Sequence, residues 1–241
     1  MLEIDALHFE TIDSTNNWAK AHIQNLHKNK LTVIVADEQT AGRGRRTNRW
    51  TSPEGNLYAS FCFFTNQANC ISNVTQVMAI SLAETLTEMG FTPMLKWPND
   101  ILLSGKKCAG ILCEAGTLDD LTYAIVGIGL NINMSKQQIA QYSFTLTSLL
   151  EEAGRNFKIE NIRISLQKYF RANLITLMQK GFEPFLESYK TLLRLRPGDR
   201  IKFHHDQLQY QGAFHSIQNN GSLNLLLDTG EVKNFISGEI Y

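Results

Sequence analysis

The stretch EQTAGRGRRTNRW, residues 38–50, leaves a β-branched run and enters a loop with four arginines in seven positions, interleaved with glycine. The residues around and after those glycines decide between folds. A nucleotide-binding P-loop needs GxxxxGK[ST], and neither Lys-Ser nor Lys-Thr comes after these glycines. A dinucleotide-binding turn needs glycine where Thr47 stands and a helix directly after it. Here the chain continues as NRWTSPEGN, with Pro53 and Gly55, and it does not start a helix. Phosphate binding at a helix N-terminus is therefore not the mechanism, and the guanidinium groups themselves remain as anion ligands. They make bidentate, charge-assisted bonds to phosphate, and glycine lets the backbone fold close around a ligand. Arg43, Arg45, Arg46 and Arg49 have no acid among them. Unliganded, the loop should repel itself and be mobile, and an anion should order it. A solvated basic loop, or one neutralised by acids elsewhere in the fold, is the alternative. RNA binding is a third reading, but Trp50 and Tyr58 are too few aromatics for a base-stacking surface.

Upstream, LTVIVADE (31–38) predicts a strand, and ALHFETI (6–12) alternates like one. Between them DSTNNWAKAHIQNLHK predicts a helix capped by Asp13, Ser14 or Thr15, with Trp18, His22 and Leu26 on one face. Downstream come a strand at 56–64, a helix within 70–89 ended by Gly90, and strands at 93–97, 109–116 and 122–133. A helical stretch covers 159–193, broken near Gly181 and Pro184. After Pro197-Gly198 four short strand-like runs alternate with turn chemistry at Asn220-Gly221 and Asp228-Thr229-Gly230. They predict a small antiparallel barrel, too short to be stable alone and so packed on the larger unit. The expected fold is α+β, a mixed β-sheet with helices over 1–195, followed by the barrel at 196–241.

Composition narrows the function classes. Of the 241 residues 43% are hydrophobic and 19% charged, which is ordinary for a soluble globular protein. Lys plus Arg and Asp plus Glu number 23 each, so generic coating of nucleic acid is not expected and any polyanion site must be local. The longest apolar run, 123–130, is far short of a membrane span. The opening MLEIDALHFE carries acids where a secretory signal carries base, which leads us to expect a cytoplasmic protein. Cys62, Cys70, Cys108 and Cys113 form no CxxC pair and read as reduced, buried thiols. The histidines are scattered, and no metal-ligand spacing is present.

A second constellation is LKWPNDILLSGKKCAGILCE (95–114). Its Trp97-Pro98-Asn99-Asp100 reads as a turn between strands. Lys107 enters an apolar run, where an ammonium must reach water or meet an anion. Gly110 permits close approach of a ligand or another backbone. DSTN (13–16) is an ordinary helix cap, yet Ser14, Thr15, Asn16 and Gln39 together suit a neutral polar ligand group. In AIVGIGLNIN, Gly127 and Gly129 leave room on one strand face for something flat such as an adenine ring, although a kink or bulge needs the same glycines.

In this order, DSTN, EQTAGRGRR, KWPNDI followed by KKCAGIL, GIGLNIN and the closing SGEI (237–240) resemble the biotin–protein ligases, over essentially the whole chain. The resemblance implies a catalytic domain related to class II aminoacyl-tRNA synthetases, plus an SH3-like barrel. Because DSTN begins at Asp13, it implies the form lacking an N-terminal DNA-binding domain, with no DNA binding expected; monomers and homodimers are both compatible with it. It also implies two chemical steps. Biotin's carboxylate attacks the α-phosphate of MgATP, giving biotinyl-AMP and pyrophosphate. A lysine of a biotin carboxyl carrier domain then attacks the anhydride and releases AMP.

Carried over residue by residue, the resemblance gives Ser14, Thr15, Asn16 and Gln39 the ureido ring. Arg43 and Arg45, held by Gly42 and Gly44, take the phosphates and carboxylate, and Gly110 lies at the biotin site. Lys107 bridges carboxylate and α-phosphate. Asp100 serves either Mg²⁺ or the incoming lysine. Arg46 joins the nucleotide contacts, Trp50 stacks on the adenine, and Asn131 hydrogen-bonds to it. One departure is Thr47, where the family usually has glycine; threonine is stiff at χ1 and disfavours positive φ. A lipoate ligase is the nearest rival, and a non-catalytic polyanion-binding module is the rival from another class.

Overall fold

The computed structural model describes residues 2–46, 48–143, 145–205 and 208–240. Its larger sheet has seven strands: β1 (Glu3–Ile12), β2 (Lys30–Gln39), β3 (Leu57–Thr65), β4 (Met94–Lys96), β5 (Asp100–Leu103), β6 (Lys106–Leu118) and β7 (Leu121–Leu130). Their order is β1-β2-β3-β7-β6-β5-β4. Among the neighbouring strands of this sheet only the β1–β2 pair is parallel, and a crossover carrying α1 (Thr15–Ala21) joins the two. The sheet is therefore mixed, as expected.

The middle strand explains the layering. All nine residues of β3 are buried, since LYASFCFFT is apolar on both faces. Phe61 and Phe63 turn to one side, where α2 (Val74–Glu88) and α5 (Ile159–Lys180) pack, and Phe61 meets Phe170 edge-on at 5.2 Å. Cys62 and Phe64 turn to the other, onto Ala19 and Ile23 at and just beyond α1. α1 is shorter than its sequence predicts. The His22 ring stacks on Trp18 at 4.1 Å and its Nδ1 lies 2.8 Å from the Trp18 carbonyl, so the chain leaves the helix for a 3-10 turn at Ile23–Asn25. The helical stretch near the end divides at Gly181 and Pro184, as the sequence predicts, into α5 and α6 (Leu186–Leu192). The short α3 (Lys136–Ile139) and α4 (Leu149–Ala153), like β5, are too brief to leave a periodic pattern.

Strands β8 (Arg200–His205), β9 (Leu208–Ile217), β10 (Leu223–Leu227), β11 (Val232–Phe235) and β12 (Glu239–Ile240) form the C-terminal antiparallel sheet, in the order β11-β10-β9-β8-β12. It does not stand apart. Trp97 is fully buried, donates its indole N–H to the Gly221 carbonyl at 3.2 Å, and packs on Phe203 at 5.7 Å. Asn73 on the helical side donates to the Asn220 carbonyl at 2.8 Å. One hydrophobic core runs through both sheets, which fixes the 97–100 turn and brings β12 to the edge of a cavity in the larger sheet. Among the described residues no helix is long and apolar enough to cross a membrane. All four cysteines are free, and burial pushes the Cys113 thiol up to about 12.

Candidate functional site

Gln39 at the end of β2, the start of α1, the middle of β6 and β7, the arginine loop, the 97–100 turn and β12 enclose one cavity of about 620 Å³. It has two chemically different ends.

The first end is lined by uncharged side chains tied into one hydrogen-bond network. Ser14 caps α1, its Oγ accepting from the Asn17 N–H at 3.5 Å. The Thr15 backbone N–H donates to Gln39 Oε1 at 2.9 Å, and Gln39 Nε2 donates to Ser52 Oγ at 2.8 Å. Ser60 Oγ, on β3, lies 2.7 Å from Thr15 Oγ1 and 2.6 Å from Asn16 Oδ1. Asn16 Nδ2 in turn donates to Glu114 Oε2 at 3.1 Å. Gly127 is the glycine this network needs, because a Cβ there would lie 2.2 Å from Asn16 Oδ1. Sequence reasoning missed Ser60 and Glu114. The signal for Ser60 was a small hydroxyl in the middle of a strand otherwise almost wholly apolar, where it must find a partner.

The second end is cationic. Arg43 donates to Glu114 Oε2 at 2.9 Å and to Asn17 Oδ1 at 3.0 Å. Arg45 donates to Asn99 Oδ1 at 3.2 Å and to the Gly238 carbonyl at 3.0 Å. Arg46 pairs with Glu239 at 3.2 Å, and Arg49 donates to the Thr40 carbonyl. The expected self-repulsion is eased, because Arg43, Arg45 and Arg46 diverge to acceptors on other elements, while Arg49 turns back onto the start of its own loop. Acids elsewhere in the fold pair with two of the four, Glu114 with Arg43 and Glu239 with Arg46, so the alternative that the sequence left open holds for half of the loop's charge. Burial first, and then the neighbouring Arg46 charge, hold the Arg45 guanidinium below its usual pKa. Lys107 meets its anion in Asp100, with Nζ 2.8 Å from Oδ1, a contact of opposite charges without hydrogen-bond alignment.

Trp50 lies between the ends. Its indole covers Gly110 and Gly129, where a Cβ would approach ring atoms to 2.9 and 2.4 Å, and Lys107 Nζ stands 5.3 Å from the ring centre. The indole N–H is buried without a hydrogen-bond partner. The flat group accommodated by Gly129 is therefore Trp50, and Asn16 fills the face of Gly127. Gly42 permits the loop to close, since a Cβ there would lie 2.3 Å from the Trp50 carbonyl oxygen.

Of the residues singled out from sequence, Ser14, Thr15, Asn16, Gln39, Arg43, Gly44, Arg45, Trp50, Asp100, Lys107 and Gly110 line this cavity. Gly42, Arg46 and Asn131 do not: Arg46 points to Glu239, and the buried Asn131 donates its amide to the Thr147 carbonyl at 3.0 Å. Thr47 lies outside the described residues. Lys96 and Arg194, not anticipated, add two further cations to the lining. Among the described residues no three His, Cys, Asp or Glu side chains are grouped to hold a metal ion by themselves.

The model of the Biotin/lipoate A/B protein ligase family matches residues 8–131. The Bifunctional ligase/repressor BirA of Escherichia coli is 32% identical over 95% of this chain and 71% of its own length. The Biotin--[acetyl-CoA-carboxylase] ligase of Paracoccus denitrificans is 29% identical over 79% of this chain and 82% of its own. Among solved structures, the biotin protein ligase of Aquifex aeolicus in complex with biotin and ATP superposes with a TM-score of 0.82. It is 28% identical, covering 98% of this chain and 97% of that one.

Proposed function

The chain belongs to the biotin/lipoate A/B protein ligase family, and on that premise we propose that it is an ATP-dependent biotin–protein ligase. It activates biotin as biotinyl-AMP with release of pyrophosphate, then passes the biotinyl group to a lysine of a biotin carboxyl carrier domain. The observation that supports this best is the polarity of the cavity. Uncharged, hydrogen-bonded groups around Ser14, Thr15 and Gln39 stand at one end, with Arg45 and Lys107 at the other, in one space of about 620 Å³. Biotin has the matching ends, a ureido ring and a carboxylate. A dithiolane has no use for the polar end, which favours biotin over lipoate.

In this reading Ser14, Thr15, Asn16 and Gln39 hold the ureido ring, beside Gly110. Arg43 and Arg45, in the backbone shaped by Gly42 and Gly44, bind the carboxylate and phosphates. Lys107 leaves Asp100 to neutralise the charge that builds between carboxylate oxygen and α-phosphorus. Trp50 stacks on the adenine. Arg46 and Asn131 drop out of the contact set, being engaged elsewhere. Mg²⁺ fits the site only as part of MgATP: it takes one or two carboxylates plus phosphate oxygens, and Asp100 lines the cavity with the carboxylate for that purpose. Its chemistry would be neutralisation of phosphate charge. A cytoplasmic location fits substrates and carriers of this class.

The decisive experiment is biotin-dependent exchange of labelled pyrophosphate into ATP, with biotin and lipoate titrated in parallel. Exchange with biotin and none with lipoate is the expected outcome. Exchange driven by lipoate alone would transfer the assignment to the rival, and salt-sensitive RNA binding without exchange would abandon it.

A further inference from the structure

We propose that Ser60, which does not line the cavity, is a positioning residue that sets the hydrogen-bonding polarity of the ureido-binding end. The inference rests on the biotin-ligase reading and adds to it a residue that touches no substrate.

Counting protons makes the case. Ser60 is fully buried, and its hydroxyl has one proton for two oxygens, Asn16 Oδ1 at 2.6 Å and Thr15 Oγ1 at 2.7 Å. The Asn16 amide cannot be reversed, because its Nδ2 faces two acceptors, Glu114 Oε2 at 3.1 Å and the Leu112 carbonyl at 3.4 Å. Asn16 Oδ1 therefore carries no proton, and the 2.6 Å contact takes the proton of Ser60. Ser60 must then accept from Thr15.

That assignment fixes the rest. The Thr15 hydroxyl proton goes to Ser60 rather than to Gln39 Oε1 at 3.2 Å, which is already served by the Thr15 backbone N–H at 2.9 Å. Gln39 is also fixed: Ser52 Oγ donates to the Trp50 carbonyl at 3.1 Å, so it accepts from Gln39 Nε2. Donation runs one way, from Thr15 through Ser60 and Asn16 to the Glu114 carboxylate. Toward the cavity Thr15 is left with lone pairs only, whereas Gln39 keeps a second N–H and Ser14 keeps its hydroxyl proton. A ureido ring needs this combination, an acceptor for its N–H and donors for its carbonyl.

Removing Ser60 frees the Thr15 proton to swing to Gln39 or into the cavity, and it deprives Asn16 Oδ1 of its donor. Affinity for biotin should then fall while affinity for ATP does not. The test is calorimetric titration of biotin and of ATP, separately, into wild type, Ser60→Ala, Ser60→Cys and Ser81→Ala. Ser81→Ala removes an equally buried hydroxyl from α2, which donates to the Val77 carbonyl and accepts from Asn173, and controls for loss of a buried, hydrogen-bonded hydroxyl outside the cavity. We expect Ser60→Ala to bind biotin roughly tenfold more weakly, equivalent to about 1.4 kcal/mol, with ATP affinity unchanged and Ser81→Ala normal in both. Ser60→Cys keeps a donor, weaker and on a somewhat larger side chain, so it should fall between, and it carries the test if the alanine variant does not fold. KM for biotin should rise with little change in kcat at saturation. Wild-type affinity for biotin in either folded Ser60 variant, or parallel losses of biotin and ATP, would overturn the inference. A wild type that binds no biotin would instead sink the functional proposal on which it depends.

Discussion

The two ends of the cavity are held in different ways. The neutral end is fixed by bonds between α1, β2 and β3, elements locked in the core, and Ser14, Thr15, Asn16 and Ser60 are all buried. The cationic end hangs on a loop whose arginines reach outward, Arg43 to β6, Arg45 to the 97–100 turn and the barrel, and Arg46 to β12. One end is prebuilt and rigid. The other is a set of charges parked on protein acceptors that a phosphate or carboxylate can replace. Specificity for a neutral ring calls for the first arrangement. Capture and later release of a reactive anhydride calls for the second, because a loop can close over the intermediate and exclude water.

The largest way to break this contrast is Lys107→Ala. It removes the ammonium that we propose acts at the acyl-phosphoryl junction, and it strands the Asp100 carboxylate. Loss of such a preorganised donor costs roughly 100- to 1,000-fold in rate. Pyrophosphate exchange should fall by that factor while calorimetric affinity for biotin changes far less. An equal fall in both would show that the two ends are not separable.

Arg45→Gly comes next. It gives up the bonds to Asn99 and to the Gly238 carbonyl, and with them the loop's tie to the barrel. Charge-assisted hydrogen bonds are worth about 1.5–3 kcal/mol, so escape of biotinyl-AMP should accelerate roughly ten- to a hundred-fold. The intermediate should still form, and bystander lysines should become labelled. Clean carrier-only labelling with normal retention of the adenylate would mean that Arg45 is no clamp.

How much of this was written in the sequence depends on the range of the interaction. Strands β1, β2, β3, β6 and β7, the helix at α2 and the break near Gly181 and Pro184 all come from local patterning and turn chemistry. Most of the site residues singled out from the sequence do line the cavity, because arginine, lysine and glycine in unusual surroundings advertise themselves. What could not be read was partnership. Glu114 receives Arg43, and the Gly238 carbonyl receives Arg45 from 193 residues away. Nor could the sequence say that Gly129 accommodates the protein's own Trp50 rather than a ligand ring. No pattern in a strand reports which flat group will lie against it.

That last point supports a third prediction. In Gly129→Ala the new Cβ would lie 2.4 Å from Trp50 Cε2, so the indole must leave its seat. Overpacking of this kind costs about 1–3 kcal/mol, measured by denaturant unfolding. In a Trp50→Ala background the same substitution should cost almost nothing, and the difference between the two backgrounds is the coupling energy. Equal losses in both would mean that Gly129 serves the strand and not the indole.

The smallest effect separates two neighbouring arginines. Arg45 is partly buried, lines the cavity, and donates to a backbone carbonyl and an amide oxygen. Arg46 has a positive φ of 58°, which turns its side chain away to Glu239, in a pair whose members are 51% and 37% exposed. Exposed pairs of this kind contribute about 0–1 kcal/mol and are screened by salt. Arg46→Ala should therefore change pyrophosphate exchange less than about fivefold, an effect that shrinks further at high ionic strength. A loss matching that of Arg45→Gly, insensitive to salt, would mean that Arg46 swings into the cavity when nucleotide binds and that the two residues share one task.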